Sequence, residues 1–296
     1  MPFYDELSVG QVFEGMPSVA LTDGMAAAHR AILGHRLPLA LDLPLARRVV
    51  GGDALLAHPQ LVCDVAIGHS TVVTERVIAN LFYRGLRMRR AVVIGDTLTT
   101  RVEIVALRDS ASRAAGLAAL RISTHDQEGR PVLDFVRCAL IPLSPGADKP
   151  GHGDDMDAVR VDAGDWAPDW DLSSHPRGPL RPLTYGDPVI SAPELCRLTL
   201  NIAGAHHDGT RGIDGRRLVY GGHTIGIAAA HLNRAVPGLA YIVGWHSCDH
   251  LAPVFENDML RSTVTVMKAG RLSDLRVQTS SDSGPVLDWS LTALVA

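Results

Sequence analysis

The sequence predicts an α+β fold made of two copies of one unit. Each copy is an antiparallel sheet wrapped round a single helix, and the copies join edge to edge into a longer sheet. The unit is predicted first by the run Ala54–Ile67, apolar almost all round, as a helix enclosed on every side must be. Runs rich in Val, Ile, Leu and Thr follow it at Val77–Tyr83, Ala91–Ile94, Leu98–Leu107, Gly116–Thr124 and Val132–Ile141. Turn residues separate them at Gly95-Asp96, at 108–110 and at 126–129. The duplication is predicted by four anchors that recur in the same order. Residues 34–42 lie over 200–208, Val49-Val50-Gly51-Gly52 over Val219-Tyr220-Gly221-Gly222, Gly95-Asp96 over Asn257-Asp258, and 131–135 over 285–289.

In chain order, Leu7–Phe13 alternates enough for a short strand. From Thr22 to Ile32 apolar residues recur at helical spacing, with Thr22 or Asp23 as the cap. Gly51-Gly52 leads into the enclosed helix, for which Asp53 is the expected N-cap. Between 144 and 190, Pro, Gly and Asp accumulate, and Trp166 and Trp170 stand among acidic residues. This stretch reads as a long connector, either pinned to a surface by its aromatics or left as an acidic linker. The expected division is therefore 1–143, a connector at 144–190, and 191–296. From Ser191 the order repeats: a helix over Glu194–Ala203, a loop, a glycine pair, a helix over Thr224–Asn233, then strand runs.

Bulk composition restricts the function classes. A 296-residue chain with 46% hydrophobic and 20% charged residues can bury a real core. Its net charge of −4 argues against a general nucleic-acid surface, which needs clustered cations. No apolar run approaches membrane-spanning length, and the N-terminus lacks the basic-then-apolar form of a signal peptide. Cys63, Cys138, Cys196 and Cys248 lie far apart without a CxxC pair, which suits core packing in a reducing cytoplasm. No spacing of His, Cys and Asp matches a zinc motif, so no metal is expected.

The chemistry is concentrated in Asn201-Ile-Ala-Gly-Ala-His206-His207-Asp208, followed by Arg217-Leu-Val-Tyr220-Gly221-Gly222-His223. An amide, an imidazole and a glycine-rich helix start stand close in sequence, a set able to move protons beside a polarised carbonyl. Taken alone, His206 and His207 also fit surface residues after a helix, Asn201 a local cap, and Gly221-Gly222 close helix–sheet packing. His246 and His250, in a strand facing the second helix, and Asp208 beside the imidazole are further pocket-lining candidates.

The helix-and-sheet unit and its duplication resemble the MaoC-like (R)-specific enoyl-CoA hydratases of the double hotdog fold. That family's motif reads Asp, x, Asn, Pro, x, His, x, Asp, and the stretch from Asn201 keeps His206 and Asp208, its last two fixed positions. Two longer pairs of runs resemble the mesaconyl-CoA hydratase (β-methylmalyl-CoA dehydratase) branch. They are 56–62 with 77–81, and 217–223 with 250–255.

The resemblance implies reversible hydration of a short, branched or dicarboxylic 2-enoyl-CoA, with the CoA thioester as substrate and no cofactor. It implies His206 as acid/base and Asn201 holding the water where the broad family has Asp. Backbone N–H groups around Tyr220, Gly221, Gly222 and His223 would take the oxyanion. The first copy has His35 and Ala40 at the matching places, and alanine transfers no proton, so one site per chain is expected. A carboxylated acyl group would want a cation, for which Arg197, Arg211, Arg216 and Arg217 are near in sequence. The basic run Arg84, Arg87, Arg89 and Arg90 suits CoA phosphates, or more simply the charged edge of a strand. Two rival readings remain, a hotdog acyl-CoA thioesterase with Asp208 as base and a non-catalytic acyl-CoA-binding protein. Either a monomer or a homodimer suits a duplicated unit.

Overall fold

The computed structural model describes residues 1–14, 16–159, 161 and 166–296, so residues 160 and 162–165 of the connector lie outside the described residues. The first unit contains β1 (Val12–Phe13), β2 (Val19–Ala20), α1 (Asp23–Leu33), α2 (Leu43–Val49) and the enclosed helix α3 (Pro59–Thr74). Its long strands are β3 (Ala79–Met88), β4 (Thr97–Asp109), β5 (Ala115–His125) and β6 (Pro131–Pro142). The second unit follows the same order with β7 (Asp187–Pro188), α4 (Ala192–Leu198) and its enclosed helix α5 (Gly221–Ala235). Its long strands are β8 (Leu239–His250), β9 (Met259–Lys268), β10 (Leu272–Ser281) and β11 (Gly284–Val295).

All strands belong to one antiparallel sheet in the order β1-β4-β5-β6-β3-β8-β11-β10-β9-β7, with β2 also on β4. The fold is thus a double hotdog, with β3 and β8 as the seam where Tyr83 stands opposite Cys248. Every residue of α3 except Val72 is buried, which explains its all-round apolar sequence. Two of its hydroxyls are satisfied locally: Ser70 Oγ donates to Ile67 O at 2.6 Å and Thr71 Oγ1 to Gly68 O at 2.5 Å.

The duplication is visible in matched details. Leu56 bridges Val93 as Leu218 bridges Phe255. Asp96 accepts from the Val93 amide at 3.0 Å, and Asp258 accepts from the Phe255 amide at 2.9 Å. Gly95 and Asn257, just before these carboxylates, both take positive φ. Arg121–Asp134 in one unit matches Arg276–Asp288 in the other.

Three sequence expectations are corrected. Asp53 caps nothing and instead pairs with Arg47 at 3.2 Å on the surface, while α3 begins only at Pro59. Proline pushes the residue before it out of helical geometry, so His58 is the cap and Leu56 stays extended against Val93. Gly51-Gly52 is consequently not the counterpart of Gly221-Gly222; the first-unit match to Tyr220-Gly221 is His58-Pro59, at the two helix starts. Arg84 and Arg87 of the basic run lie on β3 at the seam rather than at an edge, and Arg89 and Arg90 just past its end, with Arg84 paired to Asp249 at 2.6 Å and Arg90 to Asp96 and Asp126 at 2.8 Å.

The connector is docked in part, with residues 176–182 exposed. Trp166 and Trp170 pack edge-on against Tyr241, at ring centroids of 5.8 and 5.6 Å, and Met156 and Leu172 are buried. The four cysteines are buried and unpaired. Among the described residues no helix is long and apolar enough to cross a membrane.

Candidate active site

A cleft of about 240 Å³ opens where the two units meet. From the second unit it is lined by Asn201, His206, Tyr220, Gly221 and His250, and from the first by Thr71, Thr74, Tyr83 and Arg137. The close approach of the units is set at Gly68 of α3. A methyl group there would stand 1.7 Å from the Thr199 carbonyl oxygen and 3.3 Å from the Asn201 amide nitrogen. The turn is fastened to the first unit further on, where Ile202 N–H donates to Thr71 Oγ1 at 3.0 Å and Gly204 N–H to Glu75 O at 2.9 Å.

The helix expected to run to Ala203 stops at Leu198, because Leu200 takes a left-handed φ of 57° and the Asn201 amide closes back on Cys196 O at 2.8 Å. A non-glycine residue in that region carries strain, and here it turns Asn201 out of the helix line and into the cleft. Asn201 Oδ1 accepts from Ala203 N–H at 3.0 Å, which fixes the amide plane. Its Nδ2 is buried and without a partner at the cleft, a donor awaiting an acceptor.

His206 closes the short turn Gly204–His206 and is 8% exposed. Its Nδ1 lies 2.9 Å from the Leu218 carbonyl, and a carbonyl only accepts, so Nδ1 carries the proton and Nε2 the lone pair. Burial pushes its pKa down to about 4, with Leu218 O opposing and the charges of His207 and Arg137 adding to the fall. At neutral pH the ring is therefore an uncharged base. His207 turns the other way, its Nε2–H donating to Asn201 O at 2.6 Å.

The α5 start borders the same cleft. Tyr220 caps the helix, with its ring 5.8 Å from that of His206 and its hydroxyl donating to Asp64 Oδ1 at 3.1 Å. Burial and the Asp64 charge hold the Tyr220 hydroxyl well above the ordinary phenol range, so it stays protonated. Gly221 lines the cleft as the first residue of the helix, whose leading amides have no carbonyl one turn back. A side chain at 221 would strike His250, with a methyl 2.6 Å from its Nε2. His250 Nε2 is buried without a partner, and burial lowers that ring to about 4 as well.

The other expected site residues lie elsewhere. Gly222 faces away, packed so tightly that a methyl would come within 2.1 Å of Asp64 Oδ1. His223 is fully buried off the cleft, and its amide is already spent on Tyr220 O at 2.9 Å. Asp208 is exposed and caps the turn at 209–211, accepting from Thr210 N–H at 2.9 Å. His246 is ejected to the outer surface by a bulge, since Trp245 and Ser247 pair with successive residues of β11 and leave 246 unpaired. There it meets Thr292 at 2.9 Å and Asp274 at 3.3 Å.

The four arginines near the motif are also outside the cleft. Arg197 pairs with Glu194, Arg211 with Glu75 and Arg217 with Glu256, while Arg216 stacks over Phe255. Sequence reasoning missed the first-unit wall, Thr71, Thr74, Tyr83 and Arg137. One signal was present, an arginine in the middle of the apolar run Val132–Ile141. In the first unit the turn matching Gly204–His206 is Pro38–Ala40, which puts Ala40 at the place of His206.

Two enclosed helices, one continuous sheet and a single loop docked across the seam define a double-hotdog protein. No family model matches the chain. It is 47% identical to a conserved hypothetical double-hotdog protein of Mycobacterium tuberculosis, with TM-score 0.90 over 99% of this chain and 98% of that one. A putative MaoC domain protein dehydratase from Chloroflexus aurantiacus superposes with TM-score 0.83 at 22% identity, over 99% and 97% of the two chains. Among curated proteins, it is 24% identical to mesaconyl-CoA hydratase of Cereibacter sphaeroides, over 92% of this chain and 85% of that protein. It is also 24% identical to beta-methylmalyl-CoA dehydratase of Chloroflexus aurantiacus, over 87% and 80%. The chain belongs to the same double-hotdog family as that Mycobacterium tuberculosis protein.

Proposed function

We propose that the cleft hydrates a short 2-enoyl-CoA reversibly, with His206 as the acid/base and Asn201 as the water holder. The observation that carries this reading is one enclosed cleft presenting an uncharged imidazole lone pair and an unpartnered amide N–H. Asn201 Nδ2 donates to the oxygen of a water, and His206 Nε2 accepts one of its protons. The oxygen then bonds to Cβ, the double-bond electrons move to Cα and the thioester oxygen, and His206 returns its proton to Cα. A ring whose pKa is near 4 gives that proton up readily. Charge on the thioester oxygen is met by the Gly221 amide at the positive end of α5, an interaction whose removal costs about 10²–10³ in rate. The chemistry needs no cofactor beyond the CoA carried by the substrate.

The names of the two curated relatives support the reaction class. The thioesterase alternative is weakened because Asp208, its base, is exposed and outside the cleft. Four free buried cysteines support a reducing compartment, the cytoplasm, as its location. The test is a panel of enoyl-CoA esters, crotonyl-CoA and mesaconyl-CoA included, followed by loss of the double-bond absorbance. Turnover that disappears in His206→Ala, with an unchanged melting curve, supports the assignment. Release of free thiol instead, or turnover retained in the variant, overturns it.

A further inference from the structure

We propose that Arg137 is the specificity-determining residue of the cleft, holding a carboxylate on the acyl chain, so that the preferred substrate is the CoA monothioester of an unsaturated diacid. The inference rests on the hydratase reading for the reaction but not for the binding. Arg137 projects from the middle of β6 and is only 4% exposed, yet it lines the cleft together with Asn201, His206 and Tyr220. Its Nη2 donates to the Thr74 hydroxyl, the Tyr83 hydroxyl lies beside it, and its Nε is buried without a partner. Among the described residues no Asp or Glu forms an ion pair with it. Burial works against its charge, and the groups that support it are hydroxyls and a thiol.

That arrangement is out of keeping with the rest of the fold. Arg84, Arg90, Arg121 and Arg276, all more exposed, each face a carboxylate at 3.1 Å or less. A buried cation without a counter-ion is costly, and a site that keeps one is built to receive the anion from outside. The planar guanidinium with a free Nε–H offers the forked geometry that suits a carboxylate. Arg137 lines the same cleft as Asn201 and His206, so an anion held there belongs to the acyl end of the substrate rather than to the far end of the pantetheine arm, where the CoA phosphates are.

The test compares kcat/KM for mesaconyl-CoA and crotonyl-CoA in the wild type, Arg137→Met and Arg137→Lys, with melting curves for all three. The expected result is a wild-type preference for mesaconyl-CoA that falls by about 100-fold or more in Arg137→Met and is partly restored by lysine. An equal loss on both substrates, or a wild-type preference for crotonyl-CoA, overturns the proposal. Calorimetric binding of the saturated esters succinyl-CoA and butyryl-CoA separates it from the reaction. A preference for succinyl-CoA that Arg137→Met abolishes supports the carboxylate site even if no ester is hydrated. Equal binding of the two by the wild type overturns it even if hydration occurs.

Discussion

Replacing Gly68 by alanine tests whether the site depends on the contact between the two units. The added methyl would sit 1.7 Å from Thr199 O and 2.8 Å from Thr199 C, whereas ordinary contact begins near 3.4 Å. The turn and the helix must therefore separate by about 1.7 Å, and both partners are backbone rather than a side chain that can swing away. Overpacking of this kind costs about 3 kcal/mol, offset by about 1 kcal/mol for removing a glycine from a helix interior. The net of about 2 kcal/mol lowers Tm by roughly 4–8 °C in a chain of this size. Activity should suffer more, because the displaced segment carries Asn201 and His206, and a misplacement of about 1 Å costs about 10²-fold. Gly226→Ala is the control. Its methyl would meet the Leu33 side chain at 2.5 Å, away from the cleft, so it should lower Tm with little change in kcat/KM. Calorimetry and the double-bond assay on both variants decide the matter. Unchanged turnover in Gly68→Ala, or equal losses of turnover in the two variants, would refute the idea that this approach sets the catalytic geometry.

Asn201→Ala removes the unpartnered donor at the cleft together with the carbonyl that fixes the Ala203 amide; kcat should fall by about 10²-fold, and an effect confined to KM would reject the water-holding role. With His206 lowered to about 4, its base form is complete at pH 6, so kcat/KM should be level from pH 6 to 8 and fall only as pH approaches 4; a limb near 6.5 in the pH profile would contradict the buried, neutral ring. Stability should follow the same sign through His206, His223 and His250, each depressed to about 4 from 6.5 by burial. The unfolded chain binds more protons between these values, so the contribution is present above pH 6.5 and is lost as pH falls toward 4, read as a Tm lower at pH 5 than at pH 7.

The element types and their order are legible in the sequence because a long run apolar all round and shorter runs rich in Val, Ile, Leu and Thr between turn residues are distinct patterns. The start of α3 is not, since Ala54–Ala57 is as apolar as the helix it precedes, and only the proline at 59 marks the boundary. The seam between β3 and β8 leaves no local mark either, so a charged run at the centre of the sheet reads like an edge. Within the site, Asn201 and His206 are legible from their spacing and the motif they resemble. Asp208 and His246 mislead because capping a short turn and sitting on a bulge both depend on backbone geometry that residue type does not encode. Arg137, Thr74 and Tyr83 reach the cleft from the other unit, through pairings remote in sequence, and only the charge inside an apolar strand hints at the first of them.

The same dependence between units explains Asp64, a fully buried carboxylate in an otherwise apolar helix. Its Oδ1 accepts from Gln60 Nε2 at 2.9 Å and from the Tyr220 hydroxyl at 3.1 Å, and its Oδ2 accepts from His29 Nε2–H at 3.0 Å. One carboxylate thus ties α1 and α3 of the first unit to the helix cap that borders the cleft. The α5 residue one unit later at the same helical place is Gly226, so the duplicated partner makes no such tie. Removing the acceptor leaves the Tyr220 and His29 donors unmatched and Gln60 Nε2 with only its 3.5 Å bond to Gly222 O; at about 1–3 kcal/mol for each of the two orphaned donors, Asp64→Ala should cost about 2–6 kcal/mol. Asp64→Asn should cost less, because its carbonyl can keep Gln60 and Tyr220 while the amide meets His29 donor to donor. That clash is relieved only if the His29 proton moves to Nδ1, which is buried without a partner. Denaturant unfolding should therefore rank the wild type above Asn and Asn above Ala, with Tyr220→Phe, which removes a single bond, nearest the wild type. An alanine variant as stable as the wild type would mean that Tyr220 is held by packing alone, and that the carboxylate has no part in positioning the helix start beside His206.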